Sequence, residues 1–120
     1  MKTIEKRYYH IKGTPKKNDP DVDSNCENYI RAEVYYEAGH LNYLCDGTTP
    51  RAYYMSVSTV CRGNGWERTN VFGNRGGRSI IKQVSRQSKK AEADALMHFN
   101  EHIDSYLAQV YPDMELEKEG

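Results

Sequence analysis

The sequence predicts an α+β domain: an antiparallel sheet of four or five strands packed against a C-terminal helix, the long helix preceded by a short basic one. Three observations predict it. Two-residue alternation of apolar and polar side chains marks the first two thirds of the chain, best seen where Ile30, Ala32, Val34 and Tyr36 alternate with Arg31, Glu33, Tyr35 and Glu37. Turn signals separate the alternating runs, with Asn64-Gly65 the strongest. Beyond residues 73–79 the period changes to that of a helix, and no strand–helix–strand alternation appears that a parallel sheet would need. At 120 residues the chain has the size of one domain with one modest core.

Residues Ile4 to Ile11 are rich in β-favouring types and predict the first strand. The polar stretch that follows, with Pro15, Asn18, Asp19, Pro20 and Asp21, predicts a flexible loop over 13–27. The alternating run from Asn28 predicts a half-buried strand that Ala38-Gly39 ends. A short extended piece over Leu41 to Cys45 and a turn at Asp46-Gly47 lead to a strand over Tyr53 to Val60, with Tyr53, Met55 and Val57 on one face. Asn64-Gly65 then predicts a hairpin that pairs the residues before Arg62 with Trp66 to Phe72. After the break GNRGGRS, a wheel of ~100° per residue puts Ile80, Ile81 and Val84 on one side and Arg75, Arg78, Lys82, Arg86 and Lys89 almost opposite, which predicts the short basic helix. Ser88 is the expected N-cap of the long helix, whose stripe is Leu96, Phe99, Ile103, Tyr106, Leu107 and Val110. Pro112 stops it, and residues 112–120 are expected to form an acidic tail.

Composition sets the class. Leu, Ile, Val and Phe number only 20, but the net charge is zero and ten tyrosines supply much of the missing apolar area, so a folded domain with a Tyr-rich core boundary is expected. No apolar run approaches the ~20 residues of a membrane span, and the N-terminus has no apolar segment of the signal-peptide kind. The expectation is a cytoplasmic protein with no membrane contact. Cys26, Cys45 and Cys61 are odd in number, far apart and without a Cys-x-x-Cys pair, so reduced thiols are expected rather than a disulfide framework or a zinc ribbon.

The strongest functional signal is the charge layout. Residues 51–90 carry nine Arg or Lys against Glu67 alone, and residues 91–120 carry eight acids against Lys118 alone. A basic stripe of this kind either docks on an acidic protein surface or neutralises phosphates, unless it faces the acidic segment within the fold. Arg75, Arg78, Lys82, Arg86, Lys89 and Lys90 are therefore the candidate partner-binding residues. Other constellations carry less. The stretch from His98 to His102 has the letters of a His-x-x-Glu-His zinc motif, but on the wheel His98 and Glu101 point well away from the buried stripe and His102 lies at its edge. The glycines of 73–79 lack the spacing and the Lys-Ser/Thr pair of a phosphate loop, and Cys26, His40, Cys45 and Cys61 lack close ligand spacing. No catalytic residue, cofactor or metal is expected.

Two resemblances bear on function. Residues 88–96, SKKAEADAL, resemble the start of the second helix of a double-stranded RNA-binding domain, which implies phosphate contacts from Lys89 and Lys90. They depart from it in the shifted alanine spacing, in Glu92 and Asp94, and in the lack of a helix before the strands. The tract RAYYMSVSTV at 51–60, the Gly-rich stretch and IIKQVSRQSKKAEA at 80–93 resemble small proteins of no assigned activity carried on bacterial plasmids, phages and integrated elements. That resemblance covers residues ~30–95 and implies a setting in which small proteins block host defence machinery, anti-CRISPR proteins among them. The expected function is thus a non-enzymatic binding protein that contacts a host nucleic-acid-processing complex through protein–protein contact. The alternative is a nucleic-acid-binding module that uses the same basic residues, and a metal-dependent hydrolase comes third.

Overall fold

A computed structural model describes residues 1–23, 26–42, 47–69 and 76–119. Its main sheet is antiparallel and joins β1 (Lys2–Ile11), β2 (Tyr29–Glu37), β5 (Ala52–Gly63), β6 (Trp66–Thr69), β7 (Gly76–Gln83) and β8 (Leu116–Lys118), while β3 (His40–Asn42) and β4 (Gly47–Thr49) pair with each other. One helix, α1 (Lys89–Val110), crosses one face. The α+β class holds, with six strands in the main sheet rather than four or five.

In the strand order β8-β1-β2-β5-β6 every neighbouring pair is antiparallel, and β5 is long enough to serve two partners along its far edge. Its C-terminal half, Val60 to Gly63, pairs with β6 through the Asn64-Gly65 turn, where Gly65 has φ +80°, a conformation that favours glycine. Its N-terminal half, Ala52 to Ser58, pairs with β7. The expected alternation is met: Ile30, Ala32, Val34 and Tyr36 of β2 and Tyr53, Met55 and Val57 of β5 lie in one core with Ala91, Ala95, Phe99, Ile103 and Leu107 of α1. Ser88 caps the helix by accepting a hydrogen bond from the Ala91 amide, and the chain leaves it at Tyr111, just before Pro112.

Three expectations are corrected. The basic segment is strand β7, not a short helix. Its pairing with β5 carries a bulge: Ile80 stands opposite Tyr54 and Lys82 opposite Tyr53, leaving Ile81 as the extra residue. The bulge displaces the two-residue alternation, so Ile80, Ile81 and Val84 fall at a spacing that imitates a helical face. The acidic C-terminus is not a free tail either. Leu116–Lys118 pair with Tyr9–Ile11, and flanking backbone bonds run from Lys12 to Glu115 and from Glu119 to Tyr8. The expected break at 73–79 is corrected in its second half, since residues 76–79 form the start of β7, while residues 73–75, the expected strand residues 43–45 and 70–72 and the turn residue Asp46 lie outside the described residues.

Candidate functional site

The face of the sheet away from α1 is built by cross-strand register. Tyr8 stands opposite Arg31, Tyr29 opposite Val60, Tyr35 opposite Tyr54, and Arg62 opposite Glu67. In a strand with one face in water these side chains would be exposed, yet Tyr29, Tyr35 and Tyr54 are buried. The guanidinium groups cover the rings: Arg62 lies 3.7 Å over Tyr8 and 5.0 Å from Tyr29, and Arg78 lies 4.4 Å over Tyr54. Carboxylates hold the guanidiniums in turn. Arg62 pairs with Glu119 at 2.7 Å and Glu67 at 3.6 Å, Arg31 pairs with Glu67 at 2.7 Å and Glu33 at 2.9 Å, and Arg78 pairs with Glu37 at 3.0 Å. Burial, with a hydrogen bond to Glu67, pushes the Tyr8 phenol up to about 12.

This lattice divides the predicted binding residues. Arg78 is part of it: ion-paired to Glu37, within reach of the Tyr35 hydroxyl, and seated on Tyr54. Lys82, past the bulge, lies on the helix side and pairs with Asp94 of α1 at 3.7 Å. Arg78 and Lys82 therefore do not form one row, as the helical reading required. Arg86, Lys89 and Lys90 are exposed and, among the described residues, join no ion pair. Arg75 lies outside the described residues. Among those residues β7 pairs only with β5 and no described strand takes its other edge, and Ile80 beside it remains 45% exposed.

The acidic end is largely occupied elsewhere. Glu92 pairs with Lys2, Glu115 with Lys12, Glu117 with His10, and Glu119 with Lys17 as well as Arg62. Between the basic and acidic segments only two bridges form among the described residues, Arg62 to Glu119 and Lys82 to Asp94.

The His98–His102 stretch does not assemble a metal centre with other described side chains: no group of three or more His, Cys, Asp or Glu converges among them. The two rings are 4.2 Å apart, and His98 is the half-buried one while His102 is exposed, the reverse of the wheel reading. The buried row Ala91, Ala95, Phe99, Ile103, Leu107 advances by ~40° every four residues, so its local position differs from its average. Burial, and then the neighbouring His102, holds His98 below the usual imidazole range. Cys45 and the His40 side chain lie outside the described residues.

Sequence reasoning missed two features. A polar cleft of about 440 Å³ lies between the 12–28 loop and the β5–β6 hairpin, lined by Lys17, Asn18, Arg62 and Trp66 among others. Close by, Cys26 and Cys61 bring their sulfurs to 3.1 Å. No local signal marks either, because the partners are dozens of residues apart. Comparison of the chain with protein-family models, with curated proteins and with solved structures finds no match to any of them. No described helix is long and apolar enough to cross a membrane.

Proposed function

We propose that this is a non-enzymatic binding protein that holds an acidic, extended segment of a partner protein along the free edge of β7, with Arg86, Lys89 and Lys90 meeting the partner's carboxylates. The observation that carries this reading is a strand edge that no described strand pairs with, with Ile80 exposed beside it, next to three cations that no described acid neutralises. Stability does not account for those cations. Lys89 and Lys90 occupy the first turn of α1, where the helix dipole disfavours positive charge. The resemblance to mobile-element proteins supports the most concrete version, an anti-CRISPR-like inhibitor of a host nucleic-acid-processing or defence complex in the cytoplasm.

The paired lysines at the capped helix start favour one alternative, direct contact with nucleic-acid phosphates. The triple reversal Arg86→Glu with Lys89→Glu and Lys90→Glu tests both. It is expected to leave the melting temperature unchanged or slightly higher, since acids suit a first turn, and to abolish partner capture from host lysate. Under the protein reading, capture by the parent chain persists after nuclease treatment. Under the nucleic-acid reading it is lost with nuclease, and binding to duplex weakens with a log–log salt slope near −0.9 per phosphate neutralised. Capture by the folded triple variant at the parental level would remove the site from both.

A further inference from the structure

We propose that Cys26 and Cys61 form a reversible intramolecular disulfide, with a low-molecular-weight disulfide as the oxidant, and that this bond locks the 12–28 loop to β5. The sulfurs stand 3.1 Å apart, both as free thiols, so an approach of roughly 1 Å brings them to bonding distance. The backbone on either side is held independently of the sulfurs. Asn28, two residues beyond Cys26, donates its backbone amide to Val60 O at 3.2 Å and receives the Arg62 amide on Oδ1 at 2.8 Å, which brackets Cys61 from both neighbours. Its side-chain amide donates to Arg62 O at 2.9 Å and to Pro15 O at 2.8 Å, tying the same point to the start of the loop. The Cys61 thiol also reaches Asp23 O at 3.1 Å, three residues before Cys26. The pair is thus positioned by the fold, across 35 residues of sequence.

The roles of the two sulfurs differ. Cys26 is half-buried and meets the oxidant first, whereas Cys61 is buried, and burial with the hydrogen bond to Cys26 pushes its thiol up to about 12. Cys26 Sγ, as thiolate, attacks one sulfur of the small disulfide RSSR. That S–S bond breaks, a mixed disulfide forms on Cys26, and RS⁻ leaves and takes a proton from water. Cys61 then gives its proton to solvent, its Sγ attacks Cys26 Sγ, and the second RS⁻ departs. In sum, two protein thiols are oxidised by two electrons and RSSR is reduced to two RSH. Because the closing step needs the Cys61 thiolate, its rate rises about tenfold per pH unit through the neutral range.

The test uses the full chain carrying Cys45→Ser, incubated with glutathione disulfide. The expected product is ~2 Da lighter than the reduced protein, yields a peptide linking residues 26 and 61, and melts on the order of 10 °C higher. Dithiothreitol reverses all three changes. A glutathione adduct that stays on Cys26 without closing, or two thiols that stay free, would overturn the proposed bond. A bond that forms without raising the melting temperature would overturn the locking of the loop. The variants Cys26→Ser and Cys61→Ser, each leaving one of the two thiols, must show no such rise.

Discussion

Asn28 is fully buried and makes three hydrogen bonds to backbone, so its side chain extends the β2–β5 ladder past the end of β2 and anchors the loop at Pro15. Asn28→Ala leaves three backbone groups without partners in a dry site, and the expected cost is about 3 kcal/mol, read from urea unfolding of the variant against the parent. A midpoint that does not move would mean that water replaces the amide. Arg62, beside it, depends on Glu119. Burial alone would raise the Glu119 carboxyl, but hydrogen bonds from Lys17 and Arg62, together with their charges, outweigh it and hold the group below its ordinary 4.5. A carboxyl depressed in the folded state contributes stability that is complete above its unfolded value and is lost as the pH falls through the folded one. Glu119→Gln is therefore expected to cost stability at pH 7 and to approach the parent progressively as the pH falls below 4.5 and through the group's lowered folded value, in melts taken across that range. Neither residue was legible in the sequence as a determinant of the fold. Asn28 read as the start of a strand and Glu119 as tail, because both act on partners tens of residues away.

At the level of elements, what was legible is what repeats locally. The period of two in β2 and β5, the Asn64-Gly65 turn and the Ser88 cap each involve neighbours within four residues, and each is found where expected. The basic stretch was misread because its bulge at Ile81 interrupts the alternation that identifies a strand. One signal did favour β structure there, since Ile80, Ile81 and Val84 are all β-branched, whereas Gly76-Gly77 weigh against a strand by composition and find their reason only in the structure, where a Cβ on Gly77 would stand 3.0 Å from the Tyr106 hydroxyl. The candidate site changes with the element. A helix would have aligned Arg78 with Lys82, whereas the bulged strand sends one to each face. The helix that was legible, α1, gives a direct test of the core: Phe99 is fully buried, with the Arg7 guanidinium 4.8 Å over its ring. Phe99→Ala is expected to cost about 3–5 kcal/mol. A thermal melt within a degree or two of the parent would show that the helix does not close the core.

Over the whole molecule, the segregation of charge that is so plain in the sequence is mostly resolved by topology. β8 brings the acidic C-terminus back against β1, so that Glu115, Glu117 and Glu119 meet Lys12, His10 and Lys17 with Arg62, and the N-terminal third of the chain neutralises much of the acidic end. This leaves Arg86, Lys89 and Lys90 at the start of α1 without an ion pair among the described residues, and the binding reading depends on that outcome. It also makes the last residues structural. Met114 and Leu116 pack against the core that Tyr9, Ile11 and Tyr111 complete, and the segment supplies the carboxylate that holds Arg62 across Tyr8 and Tyr29. Ending the chain after Tyr111 should therefore uncover apolar surface and take from the largely enclosed Arg62 guanidinium the nearer of its two carboxylates, leaving Glu67 at 3.6 Å. The expected loss is about 3 kcal/mol, or a melting temperature lower on the order of 10 °C. The triple variant Glu115→Gln, Glu117→Gln and Glu119→Gln keeps the β8 backbone and its apolar contacts while removing the charges. It should lose markedly less than the truncation, because exposed pairs such as Lys12–Glu115 contribute little and only the Arg62–Glu119 pair is well enclosed. Equal losses in the two variants would place the contribution of β8 in its charges, and no loss on truncation would mean that the strand does not hold the sheet edge.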